Sequence, residues 1–376
     1  MNFPTGSDAD AYTIFGKACA DFLQNNDAIS SCYNGIRPIG IMLYQAIPYL
    51  LTDDPVSLTY ITLLLNVICL LVLLASVLFL FRNLNNPTPA PRSKIDVVGE
   101  GTVLLFTLIM CIGYVPLRLS DIQSLSFFVA SLSIISDQEY RERAVPLLIA
   151  GILAGISVLL KQNYIVSIFL VTVMWTVFRL RSQAENKLKP IILYLVGTSI
   201  CMLQVLAVYY HSGIMWFYEP KLMEVYEYGN KQPYIELVAY TIPANGAYLT
   251  QLQQTVSTLE FIAIRFYEGL LKFYWAVYVG EAPFDVSPVT LTFTKVKLLY
   301  IQAIVALIII ATIATTFVKN KWLPLVAYVG IGTGLITAVM MHTENRYYIL
   351  TRILCIVVAS VIAVSWLKKF DRWRDS

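Results

Sequence analysis

Long apolar runs separated by short polar segments dominate this chain. The clearest run, 57–81, contains no charged residue, and an α-helix needs about 20 apolar residues to cross the hydrocarbon core of a membrane. This run therefore predicts a transmembrane helix. Similar runs follow at 101–117, 120–136, 144–160, 162–179, 190–211, 298–318, 322–341 and 347–367. We predict an all-α polytopic membrane protein with about nine spans.

Two pairs of neighbouring spans are joined by very short turns. The spans 101–117 and 120–136 predict a hairpin that turns at 116–120, and the next pair turns at Lys161-Gln162-Asn163. Gly151 and Gly155, four residues apart in one span, permit the close approach of a second helix. We expect this pair to pack within the protein rather than to form a dimer face.

The composition agrees with a membrane protein and excludes several other classes. Hydrophobic residues make up 57% of the chain and charged residues 14%, whereas soluble domains carry about 25% charged residues. The net charge of +3 is too small to indicate nucleic-acid binding. The sequence contains two histidines and no zinc-type cysteine spacing, so a zinc or His-rich metal site is not expected.

The distribution of Lys and Arg orients the spans. Basic residues concentrate in alternate connections and in the C-terminal tail: Arg82, Arg92, Lys94, Arg141, Arg143, Arg179, Arg181, Lys187, Lys189, Lys319, Lys321, Lys368, Lys369, Arg372 and Arg374. The opposite short loops carry one basic residue each, namely Arg118, Lys161 and Arg346. Because cytoplasmic loops carry an excess of Lys and Arg, we predict that the basic connections are cytoplasmic.

This orientation gives a single transmembrane domain, 1–376, with two large outer segments. Its parts are an outer loop at 1–56, six spans at 57–211, a large outer loop at 212–297, three spans at 298–367 and a cytoplasmic tail at 368–376. The first outer loop contains an amphipathic piece, 11–23, and a semi-apolar piece, 36–51. The stretch 259–279 predicts an interfacial helix, with a tenth span left open. Because nothing in 1–56 resembles a signal that starts translocation, we expect a further helix upstream of Met1.

Polar residues gather on the predicted outer side in four groups. They are Asp8, Asp10 and Tyr12 with Arg37; Arg118 with Asp121; Lys161 with its turn; and His342, Glu344, Arg346 and Tyr347. A single charged residue at the end of a span is usually an interfacial anchor, but convergence on one side indicates a site. Cys19 and Cys32 lie on the same side, where an oxidising compartment permits a disulfide; free thiols remain the alternative.

The order of these residues resembles that of the GT-C glycosyltransferases, specifically the family 39-type relatives of protein O-mannosyltransferases and aminoarabinose transferases. Asp8 and Tyr12 match the Asp-x-x-x-Tyr segment of that family's first outer loop. Arg37-Pro38-Ile39-Gly40 is similar to its Arg-Pro-x-Gly segment, which opens an interfacial helix. Asp121, Lys161 and Glu344-Asn345-Arg346-Tyr347 look like its later acidic, basic and Glu-x-Arg-Tyr positions. The chain lacks the family's first helix, and Ala9 stands where many relatives carry Glu.

The resemblance implies an inverting glycosyltransferase that uses a polyprenyl-phosphate sugar at the extracytoplasmic face of a bacterial plasma membrane. It implies Asp8 as the base or acceptor-orienting carboxylate, with Asp10 in reserve. The alternative that Asp8 caps the following helix stays open. Lys161, Arg346 and Arg37 are the implied ligands of the donor phosphate.

The remaining site residues have two possible roles. Tyr12, Asp121, Glu344 and Tyr347 are implied contacts of the sugar or acceptor, but Asp121 and Glu344 could equally form ion pairs with Arg118 and Arg346. No cofactor is assigned, and a divalent metal at Asp8 or Asp121 stays open. The acceptor (glycan, lipid or protein) is not identified, and no nucleic-acid partner is expected.

Two other function classes compete with the enzyme. One is a transporter or lipid-carrier flippase, and the other is a non-catalytic membrane scaffold. Transporters usually show repeated halves and ionisable residues near the membrane midplane. This sequence has few mid-span charges and no two similar halves, which favours an enzyme that acts at one interface.

Overall fold

The computed structural model describes residues 7–25, 32–33, 38–86, 91–116, 120–181, 187–217, 257, 322–340 and 348–374, and within these ranges the chain is helical without strands. The helices are α1 (Ser7–Asn25), α2 (Ile39–Leu51), α3 (Pro55–Asn85), α4 (Lys94–Cys111), α5 (Asp121–Ser136), α6 (Ala144–Leu160), α7 (Tyr164–Leu180), α8 (Lys189–Thr198), α9 (Met202–Ser212), α10 (Trp322–Met340) and α11 (Ile349–Arg374). Short 3-10 turns follow α4, α5 and α8, at Ile112–Tyr114, Tyr140–Glu142 and Ser199–Cys201.

Four of the described helical segments are long and apolar enough to cross a membrane. They are Pro55–Asn85, Lys94–Tyr114, Lys189–Ser212 and Ile349–Asp371. These segments identify the chain as a membrane protein. Helices occupy every predicted span except 298–318, which lies outside the described residues, as do most of the large loop and its 259–279 stretch. The helices α5, α6 and α7 are apolar but shorter.

Side-chain caps fix where the first two long helices begin. Asp54 precedes α3, and its carboxylate accepts hydrogen bonds from the backbone N–H and the hydroxyl of Ser57, at 2.8 and 2.7 Å. These bonds hold the pKa of Asp54 below its usual range. Ser93 and Asp96 form a capping box at the start of α4. Each cap satisfies backbone donors that a helix leaves unpaired at its first turn.

The chain divides into two compact units, Met1–Leu222 and Met223–Ser376. In the first unit, one end of the helix bundle is defined by charged contacts between chain segments. Arg82, near the end of α3, forms two 2.8 Å hydrogen bonds with Glu100 in α4, and Arg179 in α7 pairs with Glu142 at 2.7 Å. The Asn83 amide donates to the Ser133 carbonyl of α5 at 2.9 Å. We call this the basic end.

Glycines bring α6 and α8 into backbone contact. A Cβ atom on Gly151 would lie 2.1 Å from the Tyr194 carbonyl oxygen, and one on Gly155 would lie 2.7 Å from that of Thr198. Gly197 is equally close to α6, since its Cβ would meet the Leu148 oxygen at 2.4 Å. Only residues without a side chain fit here. The prediction that Gly151 and Gly155 pack within the protein is confirmed.

The N-terminal helices cover the opposite end of the first unit. One apolar cluster joins Tyr12, Cys19 and Ile41 of this region to the end of α6 and to Ala207 and Val208 of α9. A disulfide connects Cys19 to Cys32, which decides between the two alternatives that the sequence left open. The amphipathic helix runs from Ser7 rather than from residue 11. Asp8 and Asp10 therefore lie within its first turn, and the reading of Asp8 as a cap preceding a helix at 11–23 is wrong.

The second unit contains α10 and α11, which also cross through small residues. Cβ atoms on Gly330 and Gly334 would meet Leu354 Cβ at 3.1 Å and Thr351 Oγ1 at 2.9 Å. Arg352 of α11 is buried at this level of the helix. Close packing of small residues is the usual way in which helices associate in membranes.

Candidate functional site

The site at the covered end of the first unit is built on an ion pair between two helix termini. Lys161 is the C-cap residue of α6, and its ammonium donates to Oδ1 of Asp121, the first residue of α5. The two side chains are 13% and 3% exposed. A carboxylate at a helix N-terminus and a cation at a C-terminus both oppose the partial charges of the helix dipole. The two helix ends and the mutual attraction of the side chains therefore all favour this contact.

Asp121 keeps unused hydrogen-bonding capacity. Its second oxygen, Oδ2, is buried and has no hydrogen-bond partner within the part of the chain that the structure describes. Tyr164 and Cys111 lie beside the carboxylate. A buried carboxylate oxygen without a donor is costly, because it has lost its water. Oδ2 is thus an acceptor that a hydroxyl of a bound molecule would satisfy.

Tyr12, the aromatic residue of the Asp-x-x-x-Tyr segment, belongs to the same end. It is 5% exposed and packs in the cluster that contains Leu159 and Leu160, the last residues before Lys161. The structure therefore brings Tyr12, Asp121 and Lys161 to one end of the bundle. Asp8 and Asp10 are on the same helix as Tyr12, but their side chains lie outside the described atoms.

Several predicted site residues lie outside the described residues altogether. They are Arg37, Arg118, His342, Glu344, Arg346 and Tyr347. Pro38 and Ile39, which follow Arg37, are described, and α2 begins at Ile39. The expectation that the Arg-Pro-x-Gly segment opens a helix is confirmed at this position.

The sequence does not predict the ion pair itself. It leaves open for Asp121 an ion pair with Arg118, a contact with sugar or acceptor, or a divalent ion, and for Lys161 the donor phosphate or an interfacial anchor. The structure shows that the two side chains contact each other. The reason is topological: α5 and α6 are antiparallel neighbours joined at the basic end, which places the start of one beside the end of the other.

Sequence reasoning missed a buried amide cluster next to Asp121. Asn66 in α3 accepts from Gln123 Nε2 at 2.5 Å and from the Tyr44 hydroxyl at 3.1 Å. Its own amide donates to the Val115 carbonyl at 2.9 Å. One side chain thereby joins α2, α3, α5 and the turn after α4. The sequence does carry a signal for this cluster, because Asn66 is the one amide in the uncharged run 57–81.

A second missed residue is Gln204 of α9, which is fully buried. It accepts from the Ile39 backbone N–H at 2.7 Å and donates to the Tyr33 hydroxyl and the Phe217 carbonyl, both at 2.8 Å. Each such bond contributes about 1 kcal/mol net. Together they attach the chain around α2 to the end of α9.

The described residues offer little for a metal ion. No group of three or more His, Cys, Asp and Glu side chains occurs among them with the geometry of a metal site. Asp121 already bonds an ammonium through Oδ1, and a cation there would have to compete with Lys161. What the described site provides is one cation, one carboxylate and several hydroxyl and amide groups.

Comparison of the chain with protein-family models, curated proteins and solved structures finds no match. Function is therefore inferred from the residues and from their geometry.

Proposed function

We propose that this protein is a GT-C-type membrane glycosyltransferase, which transfers a sugar from a polyprenyl-phosphate donor to an acceptor at the extracytoplasmic face. The observation that carries the proposal is the largely buried Lys161–Asp121 pair at the end of the bundle remote from Arg82 and Arg179. The resemblance implies Lys161 as a ligand of the donor phosphate and Asp121 as a contact of the sugar or acceptor.

The same geometry supports the proposed topology. Arg82, Arg141 and Arg179 lie at the basic end, and an excess of basic residues is typical of cytoplasmic loops. The Lys161 end then faces the outer leaflet, with about nine spans in the whole chain. A polyprenyl phosphate places its headgroup at that depth.

Lys161 suits the leaving group of the reaction. An ammonium has three donors, so it can bond Asp121 Oδ1 and a phosphate oxygen at the same time. Positive charge beside the phosphate stabilises the negative charge that develops on it as its bond to the sugar breaks. Asp121 orients Lys161, and its Oδ2 is available to a sugar hydroxyl. Arg37 and Arg346 remain the further phosphate ligands that the resemblance implies.

The bonds and the proton of the proposed transfer step can be accounted for without a cofactor. The acceptor nucleophile attacks the anomeric carbon, and the bond from that carbon to the phosphate oxygen breaks. Polyprenyl phosphate leaves with the electron pair, and the acceptor proton passes to the Asp8 carboxylate. Attack opposite the leaving group inverts the anomeric configuration.

The proposal is tested by sugar transfer in membranes that contain the protein, with a panel of radiolabelled polyprenyl-phosphate sugars. Asp8→Asn is compared with Asp21→Asn, an exposed carboxylate on the same helix. Loss of a general base typically costs about 10²–10⁴ in rate, so we expect transfer to fall in Asp8→Asn alone. Full transfer by Asp8→Asn would refute the role of Asp8. Movement of the labelled donor across sealed vesicles without transfer would instead identify a flippase.

A further inference from the structure

Gln204 uses both side-chain donors and its acceptor oxygen to join three separate segments. Its Nε2 donates to the Tyr33 hydroxyl and to the Phe217 carbonyl, and its Oε1 accepts from the Ile39 N–H. The side chain has no exposed surface. A buried amide that is fully satisfied fixes its partners in place, since a shift of any of them would leave a polar atom without water.

The bond to Ile39 places Gln204 at the start of α2. Ile39 is the first residue of that helix, and Pro38 at the N-cap position makes no side-chain cap. The Gln204 oxygen takes over the role of a capping side chain. Because Cys32 is tied to Cys19 of α1, the neighbouring Tyr33 is held from both sides.

The bond to Phe217 continues toward the ion pair. The Phe217 carbonyl also accepts from Gln162 Nε2 at 2.7 Å, and Gln162 directly follows Lys161. The chain can return to this point because Gly213, at φ +74, ends α9 in the left-handed conformation. Gln204, Phe217 and Gln162 thus form one continuous hydrogen-bonded chain to the turn that carries Lys161.

Backbone packing between α2 and α6 also holds the Lys161 turn. A Cβ atom on Gly40 would lie 2.6 Å from the Leu159 carbonyl oxygen. The first turn of α2 therefore sits directly on the last turn of α6, two residues before Lys161. The Lys161 turn is fixed by α2 on one side and by the Phe217 segment on the other, and Gln204 bonds to both.

We propose that Gln204 is a positioning residue that holds the Lys161 turn, through Phe217 and Gln162, in the place where it binds the donor phosphate. The reference to phosphate rests on the proposed function; the positioning of Lys161 does not. Gln204 itself touches neither the ion pair nor the substrate. It acts on the position of the Lys161 ammonium relative to α2.

The first test measures how fast Lys161 reacts with an amine-specific reagent in native membranes, by peptide mass spectrometry. We compare Gln204→Leu with Asn83→Leu, which removes an amide clamp between α3 and α5 at the basic end. We expect Lys161 to label several-fold faster in Gln204→Leu and at the parent rate in Asn83→Leu. Equal labelling rates in the parent and both variants would overturn the proposal.

A second variant tests the same hydrogen-bonded chain in case Gln204→Leu does not fold. Gln162→Leu removes the other donor to Phe217 at a half-exposed turn, and monodisperse elution in detergent shows whether each variant is folded. Gln162→Leu is expected to raise Lys161 labelling in the same direction. If folded Gln162→Leu labels at the parent rate, the hydrogen-bonded chain does not position Lys161.

Kinetic measurements with the sugar donor distinguish this inference from the proposed function. In the transfer assay, we expect Gln204→Leu to raise the KM for the polyprenyl-phosphate sugar by about tenfold, the equivalent of one lost hydrogen bond. We expect kcat to fall as well, because Lys161 also stabilises the leaving phosphate. A parent protein that transfers no sugar refutes the proposed function, while the labelling result still decides the positioning role. A reduced kcat with an unchanged KM would contradict placement of Lys161 at the donor.

Discussion

Lys161 and Asp121, forty residues apart in sequence, form a largely buried ion pair between the C-cap residue of one helix and the first residue of its neighbour. Burial of two charges is costly, and such a pair rarely stabilises a protein relative to apolar residues of the same size. A pair of this kind is therefore better explained by a role at a binding site than by a contribution to stability.

Removal of one partner of this pair should destabilise the protein strongly. Asp121→Ala leaves a buried ammonium without its carboxylate, and we expect a loss of about 3 kcal/mol. The double variant Asp121→Ala/Lys161→Met should recover part of that loss. Thermal unfolding in detergent measures each variant and gives the coupling between the two residues.

The matched control is the exposed pair Arg143–Glu139 at the basic end, with side chains 60% and 64% exposed. Exposed pairs contribute about 0–1 kcal/mol, so Glu139→Ala should change stability little. If the Asp121 and Lys161 effects simply add in the double variant, the two side chains do not interact in the folded protein.

The contact between α6 and α8 should depend on glycine. Gly151→Ala places a methyl group 2.1 Å from the Tyr194 oxygen, and overpacking of this kind costs about 1–3 kcal/mol. Gly101→Ala in α4 meets no atom within 4 Å and should gain about 0.5–1 kcal/mol from better helix propensity. An unfolding temperature of Gly151→Ala equal to or above that of the parent would show that the two helices do not meet at Gly151.

The disulfide should be visible by cysteine counting. Alkylation of the denatured protein without reductant should modify Cys69, Cys111, Cys201 and Cys355, and all six cysteines after reduction. The variant Cys19→Ser/Cys32→Ser should lose about 2–4 kcal/mol, whereas Cys201→Ser serves as a single-cysteine control. Alkylation of Cys19 without reductant would show that the bridge is not formed in the protein.

Some of this structure follows directly from local sequence patterns. The apolar runs predict the helices, the spacing of Gly151 and Gly155 predicts close packing of α6 against another helix, and the turn at Lys161 separates two runs. These features depend on neighbouring residues only. The boundaries of α1 did not follow, because Ser7–Asp10 lacks the apolar periodicity by which a helix is recognised.

The chemistry of the site was only half predictable, because it depends on contacts between distant residues. Asp121 and Lys161 were recognised singly by their place at span ends, but nothing local shows that they meet. Gln204 lies in an apolar run. The sequence alone does not distinguish a polar residue that makes no specific contact in such a run from one that forms several hydrogen bonds. Only its contacts with Tyr33, Ile39 and Phe217 show its role.

The proposed membrane topology predicts which positions an impermeant thiol reagent reaches in intact cells. Asp53, between α2 and α3, and Gln138, between α5 and α6, are both exposed and lie near opposite ends of the bundle. Asp53→Cys should be labelled in intact cells, and Gln138→Cys only after permeabilisation. The reverse pattern would place the basic end outside and invert the proposed topology.

The most direct test of the donor site is equilibrium binding of a polyprenyl phosphate to the purified protein in detergent. The comparison includes the parent, Lys161→Ala and Lys17→Ala, which removes an exposed lysine from α1. A charge-assisted hydrogen bond contributes about 1.5–3 kcal/mol, so we predict that Lys161→Ala raises the Kd by roughly 10- to 150-fold. Lys17→Ala should bind as the parent does. An unchanged Kd in folded Lys161→Ala would contradict the assignment of this end of the bundle as a polyprenyl-phosphate site.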